Sequence, residues 1–230
     1  MAAPLTVAVV DYGLGNLFSV QRACEYVGMQ ASITASHQDI QAADAVILPG
    51  VGAFGDAMTA LHRLGLVNLL REIAASDQIL IGVCLGLQLL MSESYEFGHH
   101  QGLGIFTGSV VHFAQPRDPS GVLKVPQVGW NRVFKPDQAG GTQGSPQDHW
   151  EGSPLAGLPD GSFMYFVHSF YAQPRDPTVV LTTSRYGDVE FCSALRRGNV
   201  FAFQFHPERS GERGIQIYRS LAGIISERKR

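Results

Sequence analysis

Three short apolar runs, Leu5–Val10, Ala45–Leu48 and Ile79–Val83, alternate with helix-like segments over the first third of the chain. A strand that is apolar at nearly every position has no face to offer water, so both of its faces must be covered. Helices that return the chain between such strands provide the cover and make the strands parallel. Leu17–Val27 has that character, with Leu17, Val20, Ala23, Cys24 and Val27 on one face and Gly28 placed to cap its C-terminus. Further helices are expected over Phe54–Leu64, Leu66–Ala74 and Leu85–Met91. Beyond about Gly102 strand-like segments dominate: Ser109–Phe113, Asn131–Phe134, Phe163–Val167, Thr178–Thr183, Glu190–Leu195 and Val200–Phe205. A last helix begins near Ser210 and runs to the basic tail. The expected class is α/β, with one mixed, mostly parallel central sheet and helices on both faces.

Composition narrows the functional classes. With 230 residues, 45% of them hydrophobic and only 16% charged, the chain can bury a sizeable core. A net charge of −3 and the lack of a basic run argue against nucleic acid and anionic membranes as partners. Three scattered cysteines, Cys24, Cys84 and Cys192, form neither a disulfide framework nor a zinc motif. The start of the chain lacks the basic and apolar regions of a signal peptide, and no apolar stretch is long enough to span a bilayer. A cytoplasmic protein with reduced thiols, no metal and no cofactor is expected. No linker divides the chain, so residues 1–230 read as one domain. The segment 136–149, rich in Gly, Gln, Pro and Asp, reads as an exposed loop inserted in it.

One run carries chemistry. Gly82-Val-Cys84-Leu-Gly86 follows the apolar strand Ile79–Val83 and precedes an apolar helix. This is the glycine-flanked pattern of a nucleophile elbow, a strand-to-helix turn too tight for side chains on either flank. The turn lifts the middle side chain over the carboxyl edge of the sheet and sets the Cys84 thiol at a helix N-terminus, which favours thiolate. A nucleophile needs a base, and Gln204-Phe-His206-Pro-Glu208 closes another strand far downstream. Pro207 stops that strand, so His206 can face the thiol while Glu208 holds the imidazole. Glycine-rich Pro49-Gly-Val-Gly52, at the same sheet edge, can turn backbone N–H groups toward a developing oxyanion, with the N–H of Leu85 as second donor. Nucleotide binding is the rival reading of these glycines. Neither 13–15 nor 50–52 completes the dinucleotide fingerprint, and no P-loop occurs.

Together, Gly-Val-Cys-Leu-Gly-Leu-Gln (82–88), Pro-Gly-Val-Gly (49–52) and His-Pro-Glu (206–208) resemble a class I, or triad, glutamine amidotransferase. The order matches, and with its flanks the likeness spans essentially the whole chain. Asp11-Tyr-Gly-Leu-Gly-Asn16, Pro126-Gln-Val-Gly-Trp-Asn131 and Tyr165-Phe-Val-His-Ser-Phe-Tyr171 narrow it to the branch that serves histidine biosynthesis. The resemblance implies a glutaminase that cleaves L-glutamine through a thioester on Cys84, with His206 and Glu208 completing the triad. It also implies Gln88, Glu96, Ser169 and Phe170 as substrate-binding residues. The partner implied is a (β/α)8-barrel synthase subunit that turns the ammonia into imidazole glycerol phosphate and an aminoimidazole carboxamide nucleotide. It would dock over Asn16, Trp130, Tyr165 and Arg209. Arg209 stands where the family often has lysine, and the 136–149 loop is longer than usual. Open alternatives are the glutaminase of anthranilate or aminodeoxychorismate synthase, a cysteine peptidase or γ-glutamyl hydrolase, and a scaffold with a silenced site.

Overall fold

The computed structural model describes residues 4–136 and 149–229. In chain order the elements are β1 (Thr6–Val10), α1 (Leu17–Tyr26), β2 (Gln30–Thr34), α2 (His37–Ala42), β3 (Ala45–Gly50), α3 (Phe54–Arg63) and α4 (Leu66–Ala75). Then come β4 (Ile79–Cys84), α5 (Leu85–Leu89), β5 (Met91–Ser94), β6 (His100–Gln101), β7 (Phe106–His112), β8 (Arg117–Asp118) and β9 (Gly121–Val122). The rest are β10 (Gln127–Val133), β11 (Ser162–His168), β12 (Phe170–Pro174), β13 (Val180–Tyr186), β14 (Val189–Arg197), β15 (Val200–Phe203) and α6 (Gly211–Arg228). The main sheet runs β2-β1-β3-β4-β15-β14-β12-β7-β5-β6, with β13 also paired to β14. From β2 to β15 every pairing is parallel, and from β15 through β14 and β12 to β7 every pairing is antiparallel.

The parallel half has the doubly covered form that its apolar strands dictate. Alternate residues of each strand enter opposite cores. Ala8, Val46, Leu48, Leu80 and Ala202 meet α3 and α4 through residues such as Phe54, Leu61 and Leu70. Val7, Val9, Ile47, Ile81, Phe201 and Phe203 meet α1 and α6 through Val20, Cys24, Ile217 and Leu221. The two-stranded ribbon β10–β11 lies over this second face, burying Val133, Met164 and Phe166 into it.

Several boundaries differ from the sequence expectation, each for a physical reason. The helix expected over Leu85–Met91 ends at Leu89, and Met91 opens β5. That run is buried almost throughout, so it carries no period to separate helix from strand. β2 and α2 have no counterpart in the sequence reading; β2 is an edge strand, only half-buried, so its apolar signal is weak. The strand expected over Thr178–Thr183 starts at Val180, because Pro177–Val179 form a 3₁₀ turn capped by Asp176, whose carboxylate accepts from the Thr178 N–H at 2.9 Å. β12 is a further strand that the pattern did not reveal. Of the expected 136–149 loop, 137–148 lie outside the described residues. No helix among the described residues is long and apolar enough to cross a membrane.

Leu61→Ala, at a fully buried position of α3, is expected to cost about 2–5 kcal/mol in urea unfolding. Phe18→Ala, on the outside of α1 with 73% of the residue exposed, should change stability by about 0.5 kcal/mol or less in the same measurement.

Candidate active site

Cys84 is the last residue of β4 and the N-cap of α5, with φ 55° and ψ −109°. Such a backbone costs a non-glycine residue about 1–3 kcal/mol and persists only where its surroundings impose it. Here they do. α5 crosses β3 so closely that a Cβ on Gly86 would be driven into the carbonyl of Leu48. One on Gly82 would come within 2.9 Å of both the Gly86 backbone and Leu90 Cδ1. The glycine spacing read from the sequence is therefore a packing requirement. The helix that follows is only five residues long, too short for a strong dipole. Electrostatic support for a thiolate must come from elsewhere.

His206 provides it. β15 lies next to β4, with Phe203 opposite Val83, so the chain leaving β15 reaches the thiol within a few residues. Pro207 opens the 3₁₀ turn Pro207–Arg209, and the His206 carbonyl accepts a hydrogen bond from Ser210 Oγ at 2.6 Å. His206 Nδ1 lies 2.8 Å from Glu208 Oε1, and the two side chains are 5% and 1% exposed. Nε2 makes no hydrogen bond of ordinary geometry, and the group it senses on the nucleophile side is Cys84. Burial opposes charging of the imidazole, but its contacts with Cys84 and Glu208 prevail and lift its pKa to about 10. A group that holds its proton so firmly beside a thiol is suited to a thiolate–imidazolium pair.

Beside the thiol opens a cleft of about 290 Å³. Gly52, Leu85, Gln88, Glu96, Ser169 and Phe170 line it with Cys84, so every residue expected to touch substrate or oxyanion comes to one place. Gly50 pairs with Cys84 in the β3–β4 register, which brings the 50–52 segment alongside the nucleophile. Glu96 Oε2 accepts from the Phe54 N–H at 2.6 Å, fixing the carboxylate against the first turn of α3. Gln88 ties α5 to the neighbouring strands: its Nε2 donates to the Phe170 carbonyl at 2.9 Å and to Gln204 Oε1 at 3.1 Å.

Three residues of the site had no role assigned from sequence. Gln204, fully buried, directs Nε2 toward Cys84 Sγ at 3.8 Å. Its signal was a lone amide within an otherwise apolar strand end. Tyr12 donates its hydroxyl to the Pro49 carbonyl at 2.8 Å and fills the space beside Gly50, so the strand before Gly52 is pinned. His168 Nδ1 lies 2.8 Å from the Phe170 carbonyl, the same oxygen that Gln88 reaches. Burial, despite that hydrogen bond, drops the His168 pKa to about 4, so the ring stays neutral there.

The four residues expected at a docking face are at the surface. Trp130, 56% exposed, lies opposite Tyr165 on the outer side of the β10–β11 ribbon. The two rings meet edge-on at 6.1 Å, and the Arg209 guanidinium caps Tyr165 at 4.6 Å from its centroid. Asn16 is exposed at the N-cap of α1, the helix that packs against the Pro207–Arg209 turn.

A sequence model of the family described as glutamine amidotransferase class-I matches residues 8–220. The imidazole glycerol phosphate synthase subunit HisH of Chlorobium luteolum is 41% identical to this chain, covering 94% of the chain and 98% of the relative. The protein of the same name from Aquifex aeolicus is 43% identical, covering 93% and 94%. Among solved structures, PurLQS from Thermotoga maritima aligns with a TM-score of 0.69 at 18% identity, covering 99% of this chain and 100% of that one. Another solved structure, of a glutamine amidotransferase, aligns with a TM-score of 0.67 at 20% identity, covering 94% and 98%. At these identities the two structures establish the fold alone.

The neutral His168 gives a testable pH dependence. Its folded pKa lies below the unfolded value near 6.5, so the unfolded chain binds the extra proton first. The stability it confers is complete above about pH 6.5 and falls as pH drops toward 4, by up to ~3 kcal/mol. His206, shifted the other way, contributes its full share throughout that window. Urea unfolding at pH 6.5 and pH 5 should show the loss, and His168→Gln should flatten it.

Proposed function

The chain belongs to the class-I glutamine amidotransferases, and on that premise we propose that it is the glutaminase subunit of an imidazole glycerol phosphate synthase, acting in histidine biosynthesis in the cytoplasm. The observation that carries the chemistry is His206 held between Cys84 and Glu208, with the cleft opening on the other side of the thiol. The near-full-length likeness to HisH subunits carries the pathway.

In this reading the carboxamide of L-glutamine lies over Cys84. The thiolate attacks its carbon while backbone N–H groups at Gly52 and Leu85 receive the negative oxygen. Removal of one such donor from an active site typically costs on the order of a hundredfold or more in kcat. His206, protonated at the expense of the thiol, gives its proton to the departing amine, so ammonia leaves and a γ-glutamyl thioester remains. Water then adds to the thioester with His206 as base, and glutamate departs as the thiol is restored. Gln88, Glu96, Ser169 and Phe170 hold the substrate, with Glu96 suited to the α-ammonium group. Buried and anionic, Glu208 keeps the imidazole in one tautomer and offsets its charge.

Ammonia is useful to a synthase only if it is not lost to water. In this reading a (β/α)8-barrel, present as a separate synthase chain, closes over the cleft side and takes it. Docking uses Asn16, Trp130, Tyr165 and Arg209. The stack of indole, phenol and guanidinium is the kind of rigid, partly apolar anchor on which interface energy concentrates.

Glutamate release from glutamine tests the reading. The purified chain should be measured alone, with the barrel partner, and with partner plus its nucleotide substrate. Release is expected to rise steeply across the series and to drop by about a thousandfold or more in Cys84→Ala. Equal release in all three conditions would point to another synthase, and none in any would end the glutaminase reading. Arg209→Glu should weaken partner binding in calorimetry by about tenfold or more while thermal unfolding of the free glutaminase chain is unchanged. Unaltered affinity would remove Arg209 from the interface.

A further inference from the structure

The turn that carries His206, Pro207 and Glu208 rests on α6. Gly214 lies so near it that a Cβ there would be driven into the Pro207 carbonyl. Tyr218 stands four residues further on, on the same face of the helix. Its side chain is buried, and its hydroxyl has no hydrogen-bond partner among the described residues. The same is true of Glu208 Oε2. Each such atom forfeits its hydration without return, and two of them at one helix–turn contact call for an explanation. They are chemically complementary, since a phenol donates and a carboxylate only accepts.

The other titratable groups around this contact leave Oε2 unsupplied. His206, on the same turn, spends Nδ1 on Oε1. Cys24, facing from α1, offers only a weakly donating thiol. His168, on β11, directs Nδ1 to the Phe170 carbonyl. Burial raises the Tyr218 phenol well above its usual range, and the negative charge of Glu208 adds to the shift, so each lies within reach of the other's charge.

We propose that Tyr218 is a positioning residue for Glu208, its hydroxyl donating to the Oε2 side of the carboxylate across one buried water. The row Cys84–His206–Glu208 thereby gains a fourth member. This rests on the reading of those three residues as the triad of the glutaminase. The donor stabilises the ionised carboxylate and fixes its rotation, leaving Oε1 on His206 Nδ1. Without it, the carboxylate turns more freely and holds the imidazolium less firmly against the thiol.

Tyr218→Phe keeps the ring and removes only the donor. Two measurements should be made on it: the pH profile of glutamate release by the complex with partner and nucleotide, and the pH dependence of Cys84 alkylation by iodoacetamide in the free chain. The expected result is kcat lowered by about five- to tenfold at unchanged glutamine KM. The acid limb of both profiles should move up by about half a pH unit, leaving about threefold less thiolate at a given pH on that limb. On a Glu208→Gln background the substitution should do nothing further. Acid limbs that coincide with wild type overturn the proposal even if thermal stability falls, as does a loss that persists undiminished on the Glu208→Gln background. If wild-type complex releases no glutamate, the glutaminase reading fails on its own, and the alkylation profile still decides the role of Tyr218.

Discussion

Everything at the site depends on one steric contact, the passage of Gly86 against the carbonyl of Leu48. It allows α5 to lie directly on β3, and the chain passes from β4 into α5 through Cys84 at positive φ. That strained residue sends the thiol toward β15 and β11 rather than into the core between sheet and helix. The conformational cost of a few kcal/mol is small against the burial of the two cores that flank the sheet. The rigid strands β3, β4 and β15 thus hold the 50–52 segment, Cys84 and His206 side by side.

The two halves of the sheet do different work. The parallel half ends its strands at one edge, where ligands of α/β proteins gather. Beside that edge the ribbon strand β11 and the antiparallel strand β12, which follows it in the chain, raise a wall. The Phe170 carbonyl, approached by both Gln88 and His168, is where wall and elbow are joined. The electrostatics divide in the same way. His168 in the wall is kept neutral by burial, and His206 at the edge is kept charged by its two partners. Adjacent histidines with opposite preferences let one carry the proton while the other only donates a hydrogen bond.

Legibility followed how local the cause is. The elbow was readable because its demands fall on two glycines only four residues apart, although the Leu48 carbonyl that Gly86 passes lies far back along the chain. The doubly covered strands were readable because Ile79–Val83 and its neighbours leave water no face. β2 was missed because an edge strand half open to solvent has no strong alternation, and α5 was overextended because a wholly buried run has no period. Gln204, Tyr12 and His168 were missed as site residues for another reason. Their roles are set by what lies across the fold from them, the Cys84 thiol, Pro49 and the bend at Phe170, and no spacing along the chain encodes those meetings. The Trp130–Tyr165–Arg209 stack combines three separate stretches of chain. Sequence could name its members but not their stacking order.

The pairing of β4 with β15 also sets an order in time. Cys84 leaves the ribosome with its elbow glycines and its parallel neighbours β1 and β3, yet His206 lies more than a hundred residues further along the message. The strand that delivers His206 is inserted between β4 and β14, so the sheet cannot close there until β15 has been made. Such late, long-range closure is slow by nature. Until then the nascent polypeptide carries Cys84 without His206 beside it. The two side chains can meet only after the 122 residues that separate them have been made.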